Sequence, residues 1–143
     1  MTDNPAQRVH DNFSQQQFMQ TLGASLTSVT PGAVEIAVPF RLDLTQQNGF
    51  LHAGVITSIL DSACGYAALS MAPEDADVLS VEFKINLLSP AVGDRFVARA
   101  QVRRSGRKIT VCSGDAFAIR GSEEKLVATM LATIMTMTRS ERP

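Results

Sequence analysis

Apolar positions recur along this chain in two rhythms. Across Ala53–Met71 they fall at helical spacing: Val55, Ile56, Ile59, Leu60, Ala63, Tyr66, Ala67 and Ser70 gather on one broad, mostly apolar face. Gly54, Ser58, Asp61, Gly65 and Ala68 gather on a second face, where every side chain except Asp61 is small. Backbone, another helix or a ligand must approach that face closely. Pro73 stops the helix.

Elsewhere the rhythm is two, which predicts strands. Val34, Ile36 and Val38 alternate with Glu35 and Ala37 across Ala33–Phe40. Ala24–Val29 precedes them across the turn Thr30-Pro31-Gly32, so the two form a hairpin. Val78–Leu88 sets Leu79, Val81, Phe83, Ile85 and Leu87 on one side, with Ser80, Glu82, Lys84 and Asn86 on the other. Arg95–Arg104, Lys108–Arg120 and Lys125–Thr138 complete the set. The last of these is apolar on both faces, as expected of a central or doubly covered strand.

Residues 1–11 read as a loose N-terminal tail. Ser14 is placed to cap a short helix carrying Phe18, Met19 and Leu22, which Gly23 ends. Arg41–Phe50 is polar, has no period and reads as a loop. The order predicts an α+β fold within a single domain spanning residues 1–143. One long helix cannot cover both faces of a six-stranded sheet, so the antiparallel sheet curls around it and leftover edges are buried by self-association.

Composition narrows the class. The chain is 45% hydrophobic and 19% charged, which excludes a disordered polypeptide. Its net charge of -1 argues against general nucleic-acid binding. Cys64 and Cys112 form no CxxC pair or zinc pattern and read as buried thiols, consistent with a reducing cytoplasm. No metal is implied. No basic-then-apolar leader or bilayer-length apolar run is present, so no membrane partner is expected.

The chemistry concentrates where the polar loop enters the helix, Gly49-Phe50-Leu51-His52-Ala53-Gly54. A charge such as Asp61 in a nearly uncharged helix needs a partner, a wet cleft or a task. The N–H groups of Ala53 and Gly54 are unpaired donors at a helix start, open to capping or to holding an oxyanion. Arg103, Arg104, Arg107 and Lys108 flank the tight turn Ser105-Gly106. They read singly as a solvated hairpin end and together as a cluster suited to phosphates.

The string Gln46-Gln47-Asn48-Gly49-Phe50-Leu51-His52-Ala53-Gly54, with Asp61 two turns on, resembles the hotdog-fold acyl-CoA thioesterases. The nearest group is the PaaI and acyl-CoA-thioesterase-13-like branch, and the similarity spans roughly residues 12 to 138. Two positions depart from that branch's Asn-x-x-Gly-x-x-His-Gly-Gly pattern. Gln46 stands for the Asn, with Asn48 a second amide nearby, and Ala53 stands for the first Gly after His.

The resemblance implies hydrolysis of acyl-CoA or aryl-CoA thioesters. Asp61 would be general base or nucleophile, with Ser80 beside it. Ala53, Gly54 and Gln46 would hold the carbonyl oxygen, and His52 would position the loop. The arginine hairpin and Lys108 would take the coenzyme A phosphates; coenzyme A is part of the substrate, and no separate cofactor is expected. It also implies a homodimer or homotetramer with sites at the dimer interface. Two alternatives remain, a hotdog hydratase or dehydratase and a non-catalytic acyl-CoA-binding module.

Overall fold

The computed structural model describes residues 4–143. In chain order it comprises α1 (Pro5–Gln15), α2 (Gln17–Leu22), β1 (Ser25–Thr30), β2 (Ala33–Pro39), α3 (Ala53–Leu69), β3 (Ala76–Leu87), β4 (Arg95–Ser105), β5 (Ile109–Arg120) and β6 (Glu123–Thr138). Single 3-10 turns occupy Leu42–Leu44 and Arg139–Glu141. The six strands form one antiparallel sheet in the order β1-β2-β4-β5-β6-β3. The sheet curls around α3, which is the hotdog architecture.

The core lies between α3 and the concave sheet face. Ile56, Ile59, Leu60, Ala63 and Ala67 are fully buried in one cluster with Ile36, Phe96, Ala98, Cys112, Ala116 and Ile134. Small residues on the central strands let the helix sit low. A Cβ on Gly114 would come within 3.1 Å of Leu60 and 3.4 Å of the Cys64 sulfur. Ala68, on the small-residue face, is buried, as close approach to that face requires. The helix ends at Leu69, short of Pro73. Ser70 closes it, donating to the Ala67 carbonyl at 2.7 Å and accepting the Gly32 N–H at 2.9 Å.

Two expectations are corrected. Most of the supposed loose tail is the helix α1; Met1, Thr2 and Asp3 lie outside the described residues. The Asn4 side chain caps α1 by accepting the Gln7 N–H, and Pro5 supplies a preset first helical turn. Val9 of α1 is fully buried, and the Arg8 guanidinium donates to the Leu69, Ala72 and Pro73 carbonyls just past α3. Ser14 lies inside α1; α2 starts at Gln17, its N-cap Gln16 makes no side-chain cap, and Gly23 ends it at φ 71° as expected.

The second correction is in β3. A bulge at Val81 breaks the pairing with β6 between Ser80 and Glu82. Ser80 sits opposite the buried Ile134, but past the bulge Phe83 and Ile85 take the positions opposite the buried Ala132 and Met130. Each strand face therefore changes parity, and Val78 and Ile85 both pack on the core. The uninterrupted alternation read from Leu79 to Leu87 does not hold.

β3 is also an edge. It is twelve residues long, and Leu79, Val81 and Leu87 are 51%, 58% and 54% exposed. No helix among the described residues is long and apolar enough to cross a membrane.

Candidate active site

The loop before α3 is tied down by its own backbone. Gln46 N–H donates to the Phe50 carbonyl at 2.8 Å, Thr45 bridges to Leu51, and His52 N–H donates to the Leu44 carbonyl at 2.9 Å. Gly49 turns the chain at φ 85°, a conformation natural to glycine. The Gln46 side-chain oxygen accepts the Asn48 and Phe50 N–H groups, which leaves its NH2 unspent. Gln46 and Ala53, not Asn48, line a cleft of about 360 Å³ walled by Phe50, Ile56, Leu87 and Pro90.

His52 is the N-cap of α3. Its Nδ1 accepts the Gly54 N–H at 2.7 Å, and its carbonyl accepts the Val55 N–H. An accepting Nδ1 puts the ring proton on Nε2. The expectation of two open donors is thereby corrected: the Gly54 N–H is occupied by His52. The Ala53 N–H makes no hydrogen bond among the described residues and remains available to a ligand.

Asp61 lies two turns further on, half-buried. Ser80 Oγ donates to Asp61 Oδ1 at 2.6 Å, so the bulge in β3 aims this hydroxyl at the helix carboxylate. The two border a cleft of about 430 Å³ shared with Asn12, Gln16, Ser62 and Tyr66. Of these neighbours, Tyr66 was read from the sequence as a core residue, and Asn12, Gln16 and Ser62 were not singled out. Asn12 and Gln16 belong to α1, and the only sequence signal for them was the Asn4-Pro5 helix start.

A single chain does not bring these groups to one point. Eight residues of helix separate Ala53 from Asp61, about 12 Å along the axis at 1.5 Å per residue. No thioester carbonyl spans that gap to meet both. Gln46 and Ala53 therefore line one cleft, and Asp61 and Ser80 another.

The basic hairpin joins β4 and β5. Arg103 falls in a bulge and Arg104 in β4, while Arg107 and Lys108 fill the turn after Gly106. Ile109 pairs with Met135, which pairs with Leu79, so the hairpin lies at the same end of the sheet as Ser80. Lys108 is engaged with Glu141 at 2.6 Å, and that contact holds the Glu141 carboxyl below its ordinary range. Arg103, Arg104 and Arg107 make no ion pair among the described residues. No group of three potential metal-ligating side chains occurs among those residues.

The helix wrapped by this strand order, with a carboxylate inside it and an open N–H at its entry, defines a hotdog protein with a polar site on α3. The chain belongs to the thioesterase superfamily, whose family model matches residues 48–125. A thioesterase family protein from Silicibacter pomeroyi, known by crystal structure, is 51% identical and superposes with a TM-score of 0.93, covering 94% of this chain and 99% of that one. The PaaI protein of the Escherichia coli phenylacetic acid degradation operon shares the fold, with TM-score 0.84, 22% identity and 93% of each chain covered. Among relatives by sequence, the medium/long-chain acyl-CoA thioesterase YigI of Escherichia coli K12 is 26% identical over 98 residues, 59% of this chain and 61% of its own length.

Proposed function

We propose that this protein hydrolyses coenzyme A thioesters to a carboxylic acid and free coenzyme A, at a site composed from two copies of the chain. The observation that carries the reading is the Ser80–Asp61 hydrogen bond in an open cleft, beside a long unpaired edge strand. Ser80 lies near the middle of β3 and Leu87 ends it, each bordering one of the two clefts. Antiparallel pairing of two β3 edges centred between Phe83 and Lys84 would set Ser80 of one copy opposite Leu87 of the other, and so the Asp61 cleft against the Gln46–Ala53 cleft. The exposed Leu79, Val81 and Leu87 would be buried in the same step.

In that assembly the Ala53 N–H and the Gln46 NH2 would hold the thioester oxygen as it gains charge. Asp61 would take a proton from the attacking water, or attack the carbonyl itself, with Ser80 orienting the carboxylate or the water. The thiolate of coenzyme A leaves and takes up a proton that comes from water; where Asp61 attacks, water then cleaves the acyl anhydride, releasing the acid and restoring Asp61. His52 acts by holding the helix entry. Arg103, Arg104 and Arg107, at the Ser80 end of the sheet, would take the phosphates.

The test is thiol release from a panel of acyl-CoA and aryl-CoA thioesters, with Asp61→Asn beside the wild type. The substitution keeps the shape and removes the basicity. Turnover that falls at least about a hundredfold supports the reading. Turnover that survives Asp61→Asn keeps the reaction and removes this mechanism. A folded wild type that binds but turns over nothing is a binding module.

A further inference from the structure

The cleft beside Asp61 continues past the carboxylate, and its far wall is polar. Tyr66, only 5% exposed, donates its hydroxyl proton to Asn12 Oδ1 at 3.0 Å and accepts from Gln16 Nε2 at 2.8 Å. Gln16 Oε1 accepts from Ser62 Oγ at 3.4 Å. With those bonds made, both N–H groups of Asn12 Nδ2 and one of Gln16 Nε2 have no partner among the described residues. The chain of bonds thus offers three spare N–H donors to the cleft, while each carboxamide oxygen already accepts one bond.

These residues are held in place. Arg8 and Val9 dock α1 on the end of α3, and Phe13 meets the Tyr66 ring edge-on at 5.8 Å. Gly65, one turn past Asp61, borders the same cleft, and a Cβ there would meet nothing within 4 Å. The fold of the single chain does not require that glycine, although it weakens the helix by about 1 kcal/mol against Ala. Its vacancy fits an occupant of the cleft.

We propose that Asn12, Gln16 and Tyr66 form a specificity subsite for a neutral, hydrogen-bond-accepting group, a hydroxyl or carbonyl, on the acyl part of the thioester. A plain alkyl end would leave the donors unpaired and desolvated. An acyl carboxylate would meet Asp61, which has no cation partner among the described residues. The inference rests on the reading of Asp61 as the reacting end of the site.

Two non-hydrolysable probes, S-hexyl-CoA and S-(6-hydroxyhexyl)-CoA, test it by calorimetry on the full chain. The hydroxylated probe is expected to bind about tenfold more tightly, the scale of one well-made hydrogen bond. Asn12→Leu combined with Gln16→Met removes every spare N–H and, checked for an unchanged fold, is expected to bring the ratio near one; if that variant does not fold, Asn12→Asp keeps the acceptor for Tyr66, removes two of the three spare N–H groups and is expected to lower the ratio. Gly65→Ala is expected to raise the melting temperature and weaken both probes. Equal binding of the two probes by wild type, or a tenfold ratio that survives in the folded variant, overturns the inference. Hydrolysis of hexanoyl-CoA and 6-hydroxyhexanoyl-CoA is followed in parallel. Preference without turnover retains the subsite and removes the hydrolase reading; turnover without preference does the reverse; absence of both removes the two together.

Discussion

His52 Nδ1 accepts the Gly54 N–H at 2.7 Å, so the histidine at the mouth of α3 consumes one of the two donors that an oxyanion would otherwise use. The glycine has a structural reason: a Cβ at position 54 would lie 2.9 Å from that same nitrogen. Ala53, one residue earlier, carries the open N–H without that conflict.

The cap can be separated from chemistry. His52→Ala is expected to cost about 1 kcal/mol of stability, as loss of a helix N-cap does, and His52→Asn to recover most of it. Chemical denaturation of the three proteins measures this. If His52 acts by capping alone, His52→Asn also keeps most of the turnover. Gly54→Ala is expected to displace the imidazole and resemble His52→Ala in both assays.

Shared sites make a complementation prediction. Asp61→Asn and Gln46→Ala are each expected to be impaired alone. Mixed and allowed to exchange subunits, they should regain about a quarter of wild-type activity, because half the dimers are mixed and each mixed dimer has one intact site. A Val81→Lys variant places charge on the exposed edge and is expected to sediment as a monomer without turnover. A fully active monomer would sink the composite site.

Ser80 and Asp61 should behave as one unit. Ser80→Ala is expected to lower kcat less than Asp61→Asn, and the double variant to be no slower than Asp61→Asn alone. Additive losses would mean that Ser80 acts on something other than the carboxylate.

The basic hairpin predicts a salt-sensitive KM. Arg107→Ala is expected to raise KM for a CoA thioester with kcat nearly unchanged, and the difference should shrink as salt is added. Glu141→Gln weakens the hold on Lys108 and should lower KM. A kcat effect with constant KM would count against phosphate binding there.

Burial makes the two thiols sensitive to alkali. Desolvation pushes the Cys112 thiol from an ordinary value of 9.0 up to about 11, and raises Cys64 further, with the neighbouring Cys112 adding to it. A folded value above the unfolded one means that the native state holds the proton longer. The resulting stability is complete below pH 9 and is lost as pH rises towards 11. The urea midpoint is expected to fall across that range, less steeply in Cys112→Ala, and iodoacetamide labelling at pH 8 to require unfolding.

Much of the architecture was legible because it is written in local period. Buried Val55, Ile56, Ile59 and Leu60 mark α3 at helical spacing, and the alternations of β2, β4 and β5 follow from one face meeting that helix. Asp61 stood out as a lone charge in an apolar helix, and the resemblance of the Ser80-Val81-Glu82-Phe83 strand to a family strand pointed to Ser80 beside it. The α1 helix was missed because its apolar positions are few; its hold on the molecule comes from Val9 and Arg8 against residues more than fifty positions away.

What the amino-acid order determined by itself is α3, the six strands and the one carboxylate worth attention, since propensity and amphipathic period act between near neighbours. The tertiary structure alone decided the parity change at Val81, which depends on register against β6, and the loss of the Gly54 N–H to His52, which depends on a rotamer. It also decided the grouping of Asn12 and Gln16 with Tyr66, and the placing of Gln46 and Asp61 in separate clefts. Such pairings form between distant segments, so no local pattern encodes them.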